Sequence, residues 1–571
     1  MLPMTTVFAA SPDLRLDVNW LDYLIVGIYF VFVLGIGVLA KRAVSNSLDF
    51  FLSGRSLPAW VTGLAFISAN LGAVEIIGMS ANGAQYGIPT AHYFWIGAVP
   101  AMLFLGLVMM PFYYGSKVRS VPEFMYRRFG TGAHLFNAIS FAVAQLLIAG
   151  INLFLLAKVV EVIFGWSLYV SLVVAAVVVL TYTALGGLSA AIYNEVLQFF
   201  VIVAALLPLT VVGLYKVGGY GGLTDKIAST SGGADQLSSW PGTNITNIDS
   251  PLLAVIGLVF GLGFVQSFGY WTTNFVEVQR AMASNSMSAS QRAPIIGSFP
   301  KMFIPFIVIV PGMIAGVLVS SVAEAKASGD KAFEYNNSIL FLIRDLLPNG
   351  MLGVAIAGLL ASFMAGMAAN ISAFNTVFSY DLWQHYIIKD RPDRYYLSVG
   401  RWATVAATVI AIGTALFASS YQNIMDYLQT LFGFFNAPLF ATFILGMFWK
   451  RMTATAGWAG LVAGTLAALV VAVLGTEVLG SLSLGFIPLS GQGASFTGAG
   501  AAFVVDIVVS VVVSLVTTPK KESELRGLVH SLTPVEDFHD PDEGILPWFQ
   551  QPKKLAAVAG VLVIILNVLF W

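Results

Sequence analysis

Polar and acidic side chains interrupt an apolar run early in the sequence. Residues 66–76 place Ser68, Asn70, Gly72 and Glu75 among hydrophobic neighbours. A carboxylate at the centre of a membrane-spanning helix costs roughly 2–4 kcal/mol or more unless it is paired or hydrated. Non-helical backbone persists at that depth only where it lines a cavity. The pattern therefore indicates a broken helix at a binding site. The alternative is a glycine contact between helices, with Glu75 hydrogen-bonded to a neighbour.

A second glycine-rich interruption follows later in the chain. Residues 261–271 combine three glycines with Gln266, Ser267 and Tyr270. The two interrupted segments are the first members of two successive groups of five apolar runs. This is the pattern of inverted repeats, which hold a solute between two broken helices near the bilayer midplane.

Three further polar side chains lie inside apolar runs. Lys301 opens one run, Gln429 lies one turn before a glycine in another, and Glu195 lies near the start of a third. Each has a structural alternative: an ammonium that reaches the membrane interface, an amide bonded to a neighbouring helix, and a carboxylate at a helix start. The functional interpretation of Glu195 is an ion relay.

The elements that must position these groups are membrane helices. The chain has 571 residues, 58% hydrophobic and 10% charged, whereas soluble domains carry about 25% charged residues. The apolar residues arrive in blocks of roughly 20, the length that crosses a hydrocarbon core. We therefore predict an all-α polytopic membrane protein with about fourteen transmembrane helices.

The expected spans follow from these blocks. They lie near residues 20–40, 58–80, 91–113, 136–164, 168–186, 190–215, 252–277, 300–321, 338–384, 397–418, 422–448, 455–475, 498–517 and 554–571. The 338–384 stretch is too long for one span. We expect a short helix, a break at Pro348-Asn349-Gly350, and then the span itself.

The basic residues predict an orientation in the cell membrane. Lysine and arginine concentrate in alternate loops, at 117–128, 389–394, 450–451 and 520–526. This basic side is expected to face the cytoplasm, which places both termini outside. The opening segment does not have the pattern of a cleaved signal peptide. The outer loops at 218–250 and 322–337 are interpreted as solvated connections, with short lids as the alternative.

Composition and motifs exclude several classes of function. The net charge of −1 suggests no nucleic-acid partner, and the lack of cysteine removes disulfides and thiolate chemistry. The five histidines have no metal-ligand spacing, and no phosphate-binding loop or hydrolase motif is present. No nucleophile, base and orienting group appear together. We expect neither an enzyme nor an organic cofactor.

Motifs spread along the chain resemble the sodium/solute symporter family, and within it the bacterial sodium/sugar cotransporters. Their order and spacing carry the resemblance from about Trp20 to Trp571. The motifs are Asp49-Phe50-Phe51-Leu52-Ser53-Gly54-Arg55-Ser56-Leu57-Pro58, Ala69-Asn70, Pro122-Glu123-Phe124, Arg128-Phe129, Gly186-Gly187-Leu188-Ser189-Ala190, Gln279-Arg280, Lys301 with Pro305 and Pro311-Gly312, and Phe448-Trp449-Lys450.

The resemblance implies a LeuT-like core of two inverted five-helix repeats that works by alternating access. The repeats would occupy 58–216 and 251–448. An extra transmembrane helix at 20–41 would precede them. C-terminal helices would follow at 453–571, with a cytoplasmic linker at 518–553. Inward sodium flow would drive solute uptake.

The resemblance also assigns a solute site. Lys301 and Gln429 match sugar-binding positions, Asn70 matches the asparagine of the broken helix, and Tyr270 matches the aromatic inner gate. The solute set expected here is Asn70, Glu75, Tyr93, Ser267, Tyr270, Lys301 and Gln429. The family pattern is altered at several positions, because Glu75 replaces a glutamine or histidine, Phe94 a glutamate, Gly97 a polar residue and Ser267 an asparagine.

The expected ion site departs from the family pattern more strongly. Sodium is a hard cation that prefers oxygen ligands. Ser68 and Leu71 would offer backbone carbonyls and Ser362 a hydroxyl, but Ala365 and Gly366 stand where the family has serines. Glu195 replaces an aspartate on the sodium exit route.

These residues support three hypotheses. The first is a secondary active transporter that couples a cation, sodium by resemblance, to symport of a small hydroxylated, sugar-like solute. The second is proton-coupled or uncoupled transport of a related solute, with Glu75 as the titrating group. The third is a solute sensor without useful flux. The expected partners are a small-molecule solute, sodium or protons, and the lipid bilayer.

Overall fold

A computed structural model describes residues 15–41, 52–230, 233–240, 243–246, 251–329, 333–419, 423–475, 491–538 and 544–571. Within these ranges the protein is helical and contains no β-strand, apart from an isolated bridge between Leu57 and Ser284. The start of the first family motif, Asp49-Phe50-Phe51, lies outside the described residues. So do parts of the two outer loops and of the C-terminal region, including residues 539–543 of the expected linker.

Nineteen helices form the framework of the described chain. They are α1 (Trp20–Lys41), α2 (Ala59–Asn70), α3 (Val74–Tyr86), α4 (Ile88–Gly115), α5 (Val121–Phe129), α6 (Thr131–Phe164), α7 (Leu168–Val217), α8 (Gly219–Ala228), α9 (Leu252–Thr273), α10 (Phe275–Met282), α11 (Met287–Leu318), α12 (Ser320–Ser328), α13 (Ser338–Leu346), α14 (Met351–Ile387), α15 (Asp393–Ala418), α16 (Ile424–Phe448), α17 (Ala454–Gly475), α18 (Gly491–Val516) and α19 (Pro552–Leu569). Short helical turns link several of them.

The lengths and hydropathy of these helices fit a polytopic membrane protein. Eleven described helices are long and apolar enough to span a bilayer, and the bent pair α2 and α3 adds a twelfth. Two shorter apolar segments, Trp20–Ile36 and Leu168–Thr181, are further candidates. The predicted spans near 168–186 and 190–215 lie in one helical stretch, α7.

The first predicted break is confirmed. Helix α2 ends at Asn70, and α3 resumes at Val74 with its axis turned by 58°. Leu71 leaves the helical conformation at ψ 47°, although its N–H still bonds to Ile67. Glu75 lies in the first turn of α3, where a helix N-terminus favours a negative charge.

The second break lies at Asn274, beyond the predicted 261–271 interval. Residues Gly257–Ser267 form a π-helical stretch without interruption. The glycines there serve close packing, because a side chain on Gly261 would meet the backbone oxygen of Phe496 at 2.6 Å. Asn274 leaves the helix at ψ 114° and caps α10 by accepting a hydrogen bond from the N–H of Val276.

The predicted division of the 338–384 stretch is confirmed. Helix α13 ends at Leu346, Gly350 adopts a φ of +88° that favours glycine, and α14 begins at Met351. The Asp22 carboxylate on α1 accepts hydrogen bonds from the N–H groups of Gly350 and Gly353, both at 2.7 Å. The N-terminal helix is therefore fastened to the start of α14.

Candidate functional site

All seven residues of the expected solute set line one cavity between the two breaks. Asn70, Glu75, Tyr93, Ser267, Tyr270, Lys301 and Gln429 are joined there by residues of the same helices and of α6 and α14, among them Asn152 and Gly366. The cavity offers about 90 Å³ of space to the centre of a water-sized sphere. The residues that the sequence predicts for one solute site therefore lie together around one cavity.

An ion pair crosses the middle of the cavity. The Lys301 ammonium lies 2.6 Å from Oε1 of Glu75 and also donates to Oδ1 of Asn70. Lys301 is 2% exposed and Glu75 is 8% exposed. The ammonium therefore turns inward toward a partner, and does not extend to the membrane interface. Its charge is balanced by Glu75 inside the site.

Aromatic rings hold the ammonium from its other sides. Nζ of Lys301 lies 4.6 Å from the ring centre of Phe94 and 5.1 Å from that of Trp271. Rings at this range attract a cation through their negative faces. Phe94, which replaces a glutamate of the family pattern, therefore keeps contact with the lysine but offers a solute no hydrogen bond.

A second carboxylate, that of Glu277 on α10, contacts Tyr270 at the second break. The Tyr270 hydroxyl donates to Oε1 of Glu277 at 2.8 Å and accepts from Nδ2 of Asn70 at 3.0 Å. Glu277 is buried, and its Oε2 has no hydrogen-bond partner. No ion pair with Glu277 occurs among the described residues. The expected inner-gate residue thus bonds to both broken helices.

Tyr93, which lines the cavity, is held by a residue from a C-terminal helix. The Tyr93 hydroxyl donates to Oε1 of Gln492 on α18 at 2.5 Å. Nε2 of Gln492 donates in turn to Oδ1 of Asn82 on α3 at 2.9 Å. Gln492 is fully buried, so α18 contributes directly to the surroundings of the solute site.

Two of the altered family positions are complementary in space. A side chain on Gly97 would collide with the Ser267 hydroxyl. The hydroxyl of Ser267 therefore occupies the space of the polar group that the family pattern has at position 97. Gln429 lines the same cavity. Its backbone oxygen accepts a hydrogen bond from Nε2 of Gln266 at 3.1 Å.

Two of the expected ion-site residues, Leu71 and Ser362, meet where α14 passes the first break. The Ser362 hydroxyl donates to the Leu71 carbonyl at 2.9 Å. Ser68, Ala365 and Gly366 are also buried, and the Ser68 hydroxyl has no hydrogen-bond partner. A hydroxyl, a carbonyl and an unpartnered hydroxyl are the donor types that a hard cation prefers.

Glu195 lies apart from this cluster. Its carboxylate pairs with Arg280 at 2.6 Å, and both side chains are fully buried. Arg280 also donates to the backbone oxygen of Val276 on α10. Glu195 therefore fastens α7 to α10, and its charge is already balanced.

Sequence reasoning missed three polar residues of the site. Glu277 follows the second break directly, but the break was placed too early. Asn152 is one of several buried polar residues in the apolar helix α6, and a buried asparagine amid apolar neighbours is a usable signal. Gln492 had no local signal, because its partners Tyr93 and Asn82 are about 400 residues away.

Comparison with known proteins identifies the family. Residues 50–464 match the sodium:solute symporter family. The chain belongs to this family. Its general function is therefore sodium-coupled solute transport by a multi-pass membrane protein, as the resemblance implied.

The similar proteins agree with this assignment. The sodium/glucose cotransporter of Vibrio parahaemolyticus is 28% identical over 78% of this chain and 84% of its own length. Sodium/glucose cotransporter 4 of Danio rerio is 30% identical over 79% of this chain and 71% of its own length. A solved sodium-coupled sialic acid symporter, 18% identical, superposes with a TM-score of 0.72 over 88% of this chain and 100% of its own. The predicted LeuT-like fold class is confirmed.

Proposed function

We propose that this protein imports a neutral, polyhydroxylated solute, sugar-like in chemistry, together with sodium. The observation that carries the proposal is the Glu75–Lys301 pair at 2.6 Å inside the cavity. Because the pair is neutral overall, the site offers no unbalanced charge at its centre to a charged solute. Names of the similar proteins, which refer to glucose, support the same class.

The polar groups around the pair suit hydroxyls. The Glu75 carboxylate accepts hydrogen bonds, the Lys301 ammonium donates them, and the Asn70 and Gln429 amides do both. Trp271 and Phe94 supply aromatic faces beside them. A site built to pair with hydroxyl groups rejects analogues that lack them, because its buried polar groups are then left unpaired.

The ion half of the proposal uses the cluster at the first break. Ser68, Leu71 and Ser362 supply oxygens for a sodium ion beside the solute cavity. Glu75 is already paired with the Lys301 ammonium at 2.6 Å, and the three oxygens are of the type that a hard cation prefers. We therefore favour sodium over protons as the coupling ion, with the basic side facing the cytoplasm.

Uptake into proteoliposomes tests the proposal. Radiolabelled neutral hexoses and cyclitols would be supplied under an inward sodium gradient, and under a potassium gradient as the control. Uptake of at least one neutral polyol should require sodium. A protein that takes up no neutral polyol under sodium, or that works equally well with potassium and a proton gradient, contradicts the proposal.

A further inference from the structure

The ion cluster lacks side-chain oxygens on one helix. Helix α14 offers the Ser362 hydroxyl, but Ala365 and Gly366 on the next turn have none. Sodium requires several oxygen ligands, as other hard cations do. If this cluster binds sodium, another helix must supply the missing oxygens.

Asn152 on α6 faces the same place. Its side chain is 3% exposed, and Nδ2 donates to the backbone oxygen of Ile148 at 3.1 Å. That bond uses one face of the amide and leaves Oδ1 on the other side. Oδ1 is buried and accepts no hydrogen bond. A buried carbonyl oxygen without a partner is unfavourable, so such atoms are usually satisfied by water, an ion or a ligand.

The free oxygen lies in the space where a side chain at position 366 would project. A Cβ added to Gly366 would be 2.8 Å from Oδ1 of Asn152, and one added to Gly72 would be 3.3 Å from it. A Cβ on Gly366 would also come within 3.2 Å of the Cα of Gly72. The two glycines therefore make room for the asparagine between α14 and the first break.

We infer that Asn152 supplies the sodium-binding oxygen that residue 366 lacks. The binding set then combines the Ser68 and Leu71 oxygens at the break, the Ser362 hydroxyl on α14 and Oδ1 of Asn152 on α6. Gly366 and Asn152 form an exchangeable pair, in which one position carries the oxygen and the other leaves space. The inference rests on the proposed sodium coupling and adds a ligand to it.

The pair makes a reciprocal test possible. The thermal midpoint of the purified protein is measured against sodium chloride, with choline chloride holding ionic strength constant, since an ion that binds the native state raises apparent stability. No solute is needed. The Asn152→Ala variant should need about tenfold more sodium for the half-maximal shift, which corresponds to about 1.4 kcal/mol.

A second substitution should restore binding. The Gly366→Ser change alone is expected to weaken sodium binding, because its side chain meets Asn152. Combined with Asn152→Ala, it should return the half-maximal concentration to within about threefold of the unmodified protein. Asn137→Ala is the matched control: Asn137 is a buried asparagine on the same helix that lies outside the solute cavity. It should leave the sodium response unchanged.

The outcomes separate this inference from the proposed function. If the unmodified protein responds to sodium and Asn152→Ala responds equally, or if the double variant does not recover, the inference is wrong while sodium coupling stands. If the unmodified protein shows no sodium response, both fail. Should Asn152→Ala not fold, Asn152→Asp keeps the oxygen and adds a negative charge, so it must tighten sodium binding. Unchanged or weaker binding in that variant also overturns the inference.

Discussion

Each of the two broken helices has a carboxylate in the first turn after its break, but the two carboxylates have different partners. Glu75 follows the first break and pairs with the Lys301 ammonium at 2.6 Å. Glu277 follows the second break and is met by the Tyr270 hydroxyl at 2.8 Å, with its other oxygen unpartnered. The Glu75 carboxylate is balanced by a cation, whereas the Glu277 carboxylate has one hydrogen bond, from Tyr270, among the described residues.

This difference assigns different tasks to the two breaks. The Glu75–Lys301 ion pair is expected to stay formed when the helices move. The first break can therefore serve as a fixed part of the site that binds solute and ion. The single hydrogen bond between Tyr270 and Glu277 is released more easily, so this contact suits an inner gate. Asn70 connects them, because it bonds to Lys301 on one side and to Tyr270 on the other.

The largest expected effect follows from removing the cation of the balanced pair. Lys301→Met leaves the Glu75 carboxylate buried without a partner, which costs about 3–5 kcal/mol. The thermal midpoint should fall steeply and solute binding should be lost. Lys158→Met is the control, because its pair with Glu334 is partly exposed at 3.4 Å and such pairs contribute about 0–1 kcal/mol.

Removing both charges should restore much of the lost stability. A Glu75→Gln, Lys301→Met double variant no longer buries a lone charge, so its midpoint should lie well above that of Lys301→Met. Solute binding should remain weak. Equal losses for Lys301→Met and Lys158→Met would show that the pair at the first break is not buried as described.

A smaller effect is expected at the second break. Glu277→Gln replaces a charge-assisted hydrogen bond to Tyr270, and bonds to charged groups contribute about 1.5–3 kcal/mol. The inner gate should open more often. Because the chain has no cysteine, Val276→Cys at the cavity gives a single labelling site. Its reaction with an impermeant thiol reagent from the basic side should be about tenfold faster in the Glu277→Gln background.

Asp506→Asn is the control for this experiment. Asp506 is another buried carboxylate held by hydroxyls, with Thr442 at 2.8 Å and Ser510 at 3.0 Å, but it lies on α18 away from the gate. It should not change labelling of the cysteine at 276. Labelling that is insensitive to Glu277→Gln would remove the distinction between a fixed break and a gated one.

The smallest effect concerns the far end of the first broken helix. Lys326 on α12 donates to the Ala84 backbone oxygen at 2.7 Å and to Gln236, and burial lowers the pKa of Lys326 to about 8. The unfolded chain holds this proton up to its ordinary pKa of 10.5, so stability should rise with pH between these values. From pH 7 to 9 the gain is about 1.4 kcal/mol.

Thermal unfolding across this pH range measures the effect. The Lys326→Met variant should lose the rise in midpoint between pH 7 and 9 and keep any remaining pH dependence of the unmodified protein. A rise that persists in Lys326→Met would assign it to another group.

The same two breaks show what the sequence alone can predict. The first break was placed correctly because serine, asparagine, glycine and glutamate cluster where the helix fails. The glycine pattern predicts the second break too early, because Gly261 and Gly269 mark close contacts with Phe496 and Asn436. In a sequence, a glycine at a close helix contact cannot be distinguished from a glycine at a helix break.

Residues that act through distant contacts were harder to predict. The seven solute-site residues came from motif order and do share a cavity. Nothing near Lys301 in the sequence indicates that Glu75 balances it, since the two are 226 positions apart. The role inferred for Asn152 depends on Gly366, which lies opposite it. Such pairing depends on helix packing, which local pattern does not specify.

The central claim is that the neutral Glu75–Lys301 pair selects an uncharged solute, and a matched binding series tests it most directly. Titration calorimetry in sodium would compare a neutral hexose that is transported with its uronic acid and its amino sugar, which differ mainly in charge. The neutral sugar should bind about tenfold or more tightly than either charged analogue. Tighter binding of the uronic acid or the amino sugar would show that the Glu75–Lys301 pair separates to bind a charged solute. That result would contradict the selection of an uncharged solute.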